Sequence, residues 1–181
     1  MEKTIDMAAT YCRGRAANTP VRSFLLRNSH QQAVGFCPEL VMSVHHGRVV
    51  TEPLAGTRAL VGSEAQKRRY RDELQHDHKE VVEHIQSVKA AIDELQSVCE
   101  VASIAVNDLM TVRERGSVRH LGSTVSGQLR EGNDVWDAFR AVSGNYGFRD
   151  RQRPGAQPRI CSMESTPENL YSGAILAAGR D

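Results

Sequence analysis

Two carboxylates one helical turn apart, Glu80 and Glu83 in the segment Lys79-Glu80-Val81-Val82-Glu83-His84, form the pattern in this chain with the most chemical content. At about 100° per residue, Val81, Ile85, Val88, Ile92 and Leu95 fall on one narrow arc, and His76, Glu80, Glu83 and Ser87 form a second stripe beside it. The apolar arc is expected to pack against a core. The acidic stripe has two readings, an ordinary solvated face or a set of hard oxygen donors for a divalent cation or for catalysis. A solvated face usually mixes in lysine or arginine at four-residue spacing, and Lys79 is not expected to point along this stripe.

These residues need elements to hold them. Ser63-Glu64 reads as a cap, and the periodicity predicts one long helix from there to about Cys99. Upstream, Val21 to Val50 reads as strands in an antiparallel meander, because the connections are too short for parallel crossovers. Glu52-Pro53-Leu54-Ala55-Gly56-Thr57-Arg58 reads as a loop in which Pro53 breaks a strand and Gly56 permits close backbone approach. Downstream, Asn107–Val112 and Ser117–Leu129 read as strands joined by Arg113-Glu114-Arg115-Gly116, and Asp134–Ala141 as a short amphipathic helix. The expected class is α+β: an antiparallel sheet with one long helix.

A chain of 181 residues that is 40% hydrophobic suffices for one domain with a core. Twenty-three basic and 22 acidic residues leave a net charge of +1, which gives no global field to attract nucleic acid or an anionic membrane. Cys12, Cys37, Cys99 and Cys161 are scattered with no Cys-x-x-Cys pair, the pattern of reduced thiols in a cytoplasmic protein. No apolar run approaches the roughly 18 residues needed to span a bilayer. Ser143–Arg159 differs from the rest, with four arginines, two prolines and little that is apolar. Taken alone it is a basic loop, with Tyr146 and Phe148 as stacking faces if it met a nucleic acid.

Four segments, in this order and spacing, resemble the chorismate-utilising enzymes: Gly35-Phe36-Cys37-Pro38-Glu39-Leu40-Val41, Glu52 to Arg58, Lys79 to His84, and Arg115-Gly116-Ser117-Val118-Arg119-His120-Leu121-Gly122-Ser123. Within that family, Asn18 to Leu26, Ser87 to Leu95 and Val112 to Val118 look like the salicylate synthases of siderophore pathways. The resemblance covers about residues 5–142 and again 160–177. It implies a magnesium-dependent enzyme, cytoplasmic and monomeric, that converts chorismate to isochorismate and then to salicylate and pyruvate. Hydroxide leaves poorly, so a carboxylic acid must protonate it; by resemblance that acid is Glu39, whose apolar neighbours are expected to raise its pKa. Without the resemblance Glu39 would equally read as an exposed strand-end carboxylate. The resemblance further implies Glu80 and Glu83 as magnesium ligands, Gly56, Thr57 and Tyr171 as substrate contacts, and His120 as an active-site histidine. The plainer reading of His120 is a strand-end histidine bonded to backbone.

The departures are equally specific. The family's general-base lysine falls upstream of Met1, and an arginine, two further magnesium-binding glutamates and a last lysine fall beyond Asp181. The expectation is therefore an internal piece of a larger enzyme, inactive alone: a partial chorismate-binding domain over residues 1–181. Between Ala141 and Ile160 the family expects a segment like Ile-Thr-Ala-Ser-Gly-Ile. Codons for Asn145–Asp150 read one base out of frame permit that segment, so residues 142–159 are expected to be a stretch read out of frame between a compensated pair of frameshifts, with family sequence restored at Ile160, which the nucleotide sequence tests. Two alternatives accompany the salicylate synthase reading: a fragment of an isochorismate synthase or other chorismate-utilising enzyme, and a remnant without catalysis.

Overall fold

The structure, a computed structural model, describes residues 5–18, 20–37, 39–143, 162–163 and 174–179. Its organising element is β7 (Val118–Gln128), which is paired on both edges. On one side it forms an antiparallel hairpin with β6 (Ala105–Arg115), and on the other it pairs with β4 (Arg48–Thr51) and β5 (Leu54–Ala59) in succession. The register runs unbroken from β4 into β5 across Glu52-Pro53: Thr51 faces Val125 and Leu54 faces Gly122. The amide of Ser123 keeps the ladder going by donating to the Pro53 carbonyl at 3.1 Å. Pro53 thus interrupts the strand without displacing it, as suits a residue that has no N–H to give but still has a carbonyl. β3 (Ser43–His45) joins β4 through the His46-Gly47 turn, where both residues have positive φ.

The expected single helix is two. α2 (Glu64–His76) starts at a capping box made by Ser63 and Gln66, and α3 (His78–Val98) starts at Asp77, whose side chain accepts from the amides of Lys79 and Glu80. The extended backbone of Asp77 ends one helix and caps the next, a local competition that apolar periodicity does not register. His76 consequently closes α2 and does not share a helix with Glu80.

The face that α3 buries is also rotated from the expected arc. His84, Val88, Ala91, Leu95 and Val98 are buried, whereas Ile85 is 51% exposed. The buried stripe has shifted toward the acidic one because a small alanine and a partnered histidine sit against the sheet. With Val49, Cys99, Val125, Ala138 and Val142, the apolar members of this stripe form the core between α3, the sheet and α4 (Val135–Ser143). Each fully buried leucine or valine there contributes about 1.5–3 kcal/mol.

β1 (Arg22–Arg27) and β2 (Gln32–Cys37) form a separate two-stranded hairpin and do not continue into the main sheet, which corrects the meander expected over residues 21–50. α1 (Met7–Ala17) covers that hairpin, with the Tyr11 ring stacked on Phe36 at 6.0 Å and the Tyr11 hydroxyl 3.0 Å from Ser23 Oγ. No element was expected at α1, since none of its residues is buried and its apolar positions follow no stripe. Strand β6 extends beyond the expected residues 107–112 at both ends, because pairing along β7 overrides the weak strand propensity of Arg113-Glu114-Arg115. Among the described residues, no helix is long and apolar enough to cross a membrane.

Candidate functional site

The site is built on one irregularity. Between Ala55, which faces Leu121, and Arg58, which faces Arg119, β5 carries two residues where β7 carries one. Gly56 and Thr57 therefore sit together opposite His120, a β-bulge with glycine at the left-handed position (φ +70°). The consequence is chemical. His120 Nδ1 lies 3.1 Å from the Gly56 carbonyl oxygen and 3.0 Å from Thr57 Oγ1. A carbonyl only accepts, so in the neutral ring Nδ1 carries the proton and Nε2 presents a lone pair. That Nε2 is buried and has no hydrogen-bond partner among the described residues.

The first turn of α3 lies against the same bulge. A Cβ on Gly56 would stand 2.8 Å from Glu80 Oε2 and 3.0 Å from Leu74 Cδ1, so only glycine leaves the Glu80 carboxylate its place. Glu80 is 16% exposed, and its Oε1 accepts from Arg58 at 3.2 Å. Arg58, the residue after the bulge, also reaches Asp77 Oδ2 at 2.7 Å. Partial burial works against the Arg58 charge, but Glu80 and Asp77 outweigh it and hold the guanidinium firmly protonated. The Asp77 carboxyl is held below its usual range by the amide of Glu80 foremost, and by the Lys79 amide and Arg58.

Glu83 is placed differently from Glu80. Its side chain is 50% exposed and pairs with Lys79 at 3.5 Å, so Lys79 does lie along the acidic stripe, contrary to expectation. The four-residue spacing was the signal, and the long lysine stem covers the angular offset.

Glu39 stands in the connection between β2 and β3, not on a strand, and its Oε1 accepts the Leu54 amide at 3.0 Å. That anchors it at the first residue of β5, two positions before the bulge. Gly56, Thr57, His120 and Glu80 are thus brought together directly, and Glu39 is tied to the same strand; Tyr171 lies outside the described residues, as does most of the 142–159 segment.

Three features of the site were not singled out from sequence. Arg58 and Asp77 bracket Glu80; the motif Gly-Thr-Arg and the N-capping position were their only signals. Behind them, fully buried His84 places Nε2 2.7 Å from Ser123 Oγ, which also accepts the Met110 amide at 3.0 Å. Burial, and secondarily the charge of Arg113, push the His84 pKa down. Arg113 itself is 12% exposed and pairs with Glu52 at 2.7 Å. These contacts lock α3 to β7 and β6, and so fix where Glu80 stands over β5.

Glu80 and Glu83 have the hard oxygen chemistry that magnesium requires, but each faces a cationic side chain of the same chain. Among the described residues, no three acidic, histidine or cysteine side chains converge to hold a metal ion. The described residues therefore do not by themselves fit a magnesium centre.

Comparison with known proteins places the chain. Residues 1–144 match the family model of the chorismate binding enzyme. The chain is 46% identical over 178 residues to a salicylate synthase of Mycolicibacterium paratuberculosis (strain ATCC BAA-968 / K-10), an alignment covering 98% of this chain and 40% of that protein. It is 33% identical over 175 residues to an anthranilate synthase component 1 of Halobacterium salinarum (strain ATCC 700922 / JCM 11081 / NRC-1), covering 97% of this chain and 33% of that one. Anthranilate synthase component I from Streptococcus pneumoniae TIGR4 superposes with a TM-score of 0.79 at 26% identity, over 96% of this chain and 38% of that chain. The menaquinone-specific isochorismate synthase of Escherichia coli shares the fold, with a TM-score of 0.71 at 20% identity over 87% of this chain and 36% of that chain. The chain spans about two fifths or less of the length of these relatives. With a family model matching most of its length and a salicylate synthase among its relatives, this chain belongs to the chorismate binding enzyme family.

Proposed function

We propose that this chain supplies one wall of a chorismate site in a salicylate-forming enzyme, and that the bulge at Gly56-Thr57 is where the substrate ring lies. The observation that carries this is the meeting of Gly56, Thr57, His120 and Glu80 at one bulge, four residues expected at the site from three separate segments of sequence. Salicylate as the product rests on the 46% identity to a salicylate synthase. A place in siderophore assembly, in the cytoplasm, with a monomeric whole enzyme, belongs to the same reading.

In this reading each residue has a task that its surroundings suit. Gly56, without a side chain, lets a flat ring approach the backbone, and the exposed Thr57 hydroxyl offers a rotatable hydrogen bond to it. His120 Nε2 accepts a hydrogen bond from a ring hydroxyl, with its tautomer held by the Gly56 carbonyl. Glu39, oriented by the Leu54 amide, delivers the proton that turns the departing hydroxyl into water as chorismate becomes isochorismate. Loss of pyruvate from isochorismate then leaves salicylate. Magnesium, if it joins this site, does so at Glu80 and Glu83; no step here runs through it.

The described lysines do not serve as the base that removes a proton from the attacking water. Lys67 pairs with Glu64, Lys79 with Glu83 and Lys89 with Asp93, each on its own helix. A general base contributes typically 100-fold or more to a rate, so with none of the described lysines serving as one the chain is expected to release little salicylate from chorismate and magnesium. Binding is the direct test. In saturation-transfer NMR with chorismate, the full chain is expected to transfer magnetisation to the ring protons, and Gly56→Val to abolish the transfer while keeping a cooperative melt. No transfer with the unaltered chain, or equal transfer with the folded variant, would overturn the reading.

A further inference from the structure

Arg58 occupies a position that the proposed chemistry does not use. Its two terminal nitrogens divide between Asp77 Oδ2 at 2.7 Å and Glu80 Oε1 at 3.2 Å, so one guanidinium bridges the cap residue of α3 and the carboxylate in that helix's first turn. The three side chains are 25%, 34% and 16% exposed respectively, and Glu80 is the most enclosed of them. The bulge makes this contact possible. The extra residue in β5 shifts the register by one, and Arg58, at the resumption of pairing, faces Arg119 on β7 while its side chain extends to α3. Asp77 Oδ1 meanwhile holds the amides of Lys79 and Glu80, so the carboxylate that anchors Arg58 is itself fixed by the helix start.

We propose that Arg58 is a positioning residue and the resident counter-cation of Glu80: it holds the Glu80 carboxylate beside the bulge and competes with any divalent cation for the same oxygens. The planar fork of arginine suits this role, since it spans two carboxylates from a single stem, whereas a lysine ammonium is a point charge. Competition follows from electrostatics. A dication arriving at Glu80 must displace the guanidinium or share the carboxylate with it at close range, and either costs part of the binding free energy. By linkage, a cation that does bind loosens Arg58 from Glu80 to the same extent. This competition is a property of the side chains themselves and holds whether or not chorismate binds, so the failure of the chorismate reading would leave it intact.

The test is titration of the full chain with Mn2+ alone, following the free ion by its electron paramagnetic resonance signal. Arg58→Gln is expected to bind Mn2+ about fivefold more tightly than the unaltered chain, the size of a part-exposed ion pair removed from competition. Adding Glu80→Gln to Arg58→Gln is expected to erase that gain, which a merely structural role for Arg58 would not predict. Should Arg58→Gln lose its cooperative melt, Arg58→Lys decides: it keeps the charge but loses the fork, and is expected to bind Mn2+ about twofold more tightly. Unchanged affinity in the folded variant, or a gain that survives Glu80→Gln, would overturn the proposal.

Discussion

Replacing Ser123 by alanine removes one oxygen atom and is expected to cost far more than its size suggests. Ser123 Oγ is the partner of two groups at once, His84 Nε2 at 2.7 Å and the Met110 amide at 3.0 Å, and both His84 and Ser123 have no solvent exposure. His84 Nδ1 already has no partner among the described residues, so in Ser123→Ala neither nitrogen of that ring is satisfied. A buried polar group left without its partner costs about 1–3 kcal/mol, and two of them give about 2–6 kcal/mol. For a chain of this size that corresponds to a fall in Tm of roughly 4–24 °C. Circular dichroism melts of the full chain measure it. The pairing itself is tested by a double-mutant cycle with His84→Leu, where the combined loss is expected to fall short of the sum of the single losses by about 1 kcal/mol or more. A loss below about 1 kcal/mol for Ser123→Ala, or strict additivity with His84→Leu, would refute the role given to this hydroxyl.

Three further outcomes are expected. His84 titrates below its ordinary value of 6.5 in the folded chain because burial, then Arg113, disfavour its charge; the unfolded chain therefore binds the extra proton first, so stability is full above about pH 6.5 and declines as pH falls below it. Urea melts between pH 7.5 and 5 read that slope, and His84→Leu should flatten it; an equal slope in the variant would assign it to other groups. Gly56→Ala meets both a positive φ of +70° and the Glu80 carboxylate 2.8 Å from the new Cβ, so it should destabilise by about 1–2 kcal/mol from the backbone alone and weaken chorismate transfer. Lys79→Ala removes an exposed pair with Glu83 and should change stability by less than about 0.5 kcal/mol, a contrast that denaturant melts resolve.

The hairpin of β6 and β7 and the helix α4 were legible in sequence because alternation and amphipathicity are local signals. So was the grouping of Gly56, Thr57, His120 and Glu80, though through resemblance and not through spacing. The division of the long helix at Asp77 was not legible, since a capping residue inside an uninterrupted periodic stretch gives no apolar cue. The rotation of α3 was hidden for a related reason. Counting valines and isoleucines centres the arc near Ile85, but the sheet receives His84 because Ser123 offers it a hydrogen bond from 39 positions further along the chain, outside the helix's own pattern. The bulge is invisible in a single strand because it exists only as a count of two residues against one across a pair.

Because β7 is paired on both edges, the order of events during synthesis is constrained. β4 and β5, complete by residue 59, find their partner only when residues 118–128 have been made. At about 5–20 residues per second, the 69 residues from 60 to 128 take roughly 3–14 s. During that interval α2 and α3 can form from local contacts alone, while the strand edge that will carry Gly56 and Thr57 waits without its ladder. A ribosome pause placed between α3 and β7 should lengthen that wait, and pulse proteolysis of the stalled chain should find β4 and β5 cut while α3 resists.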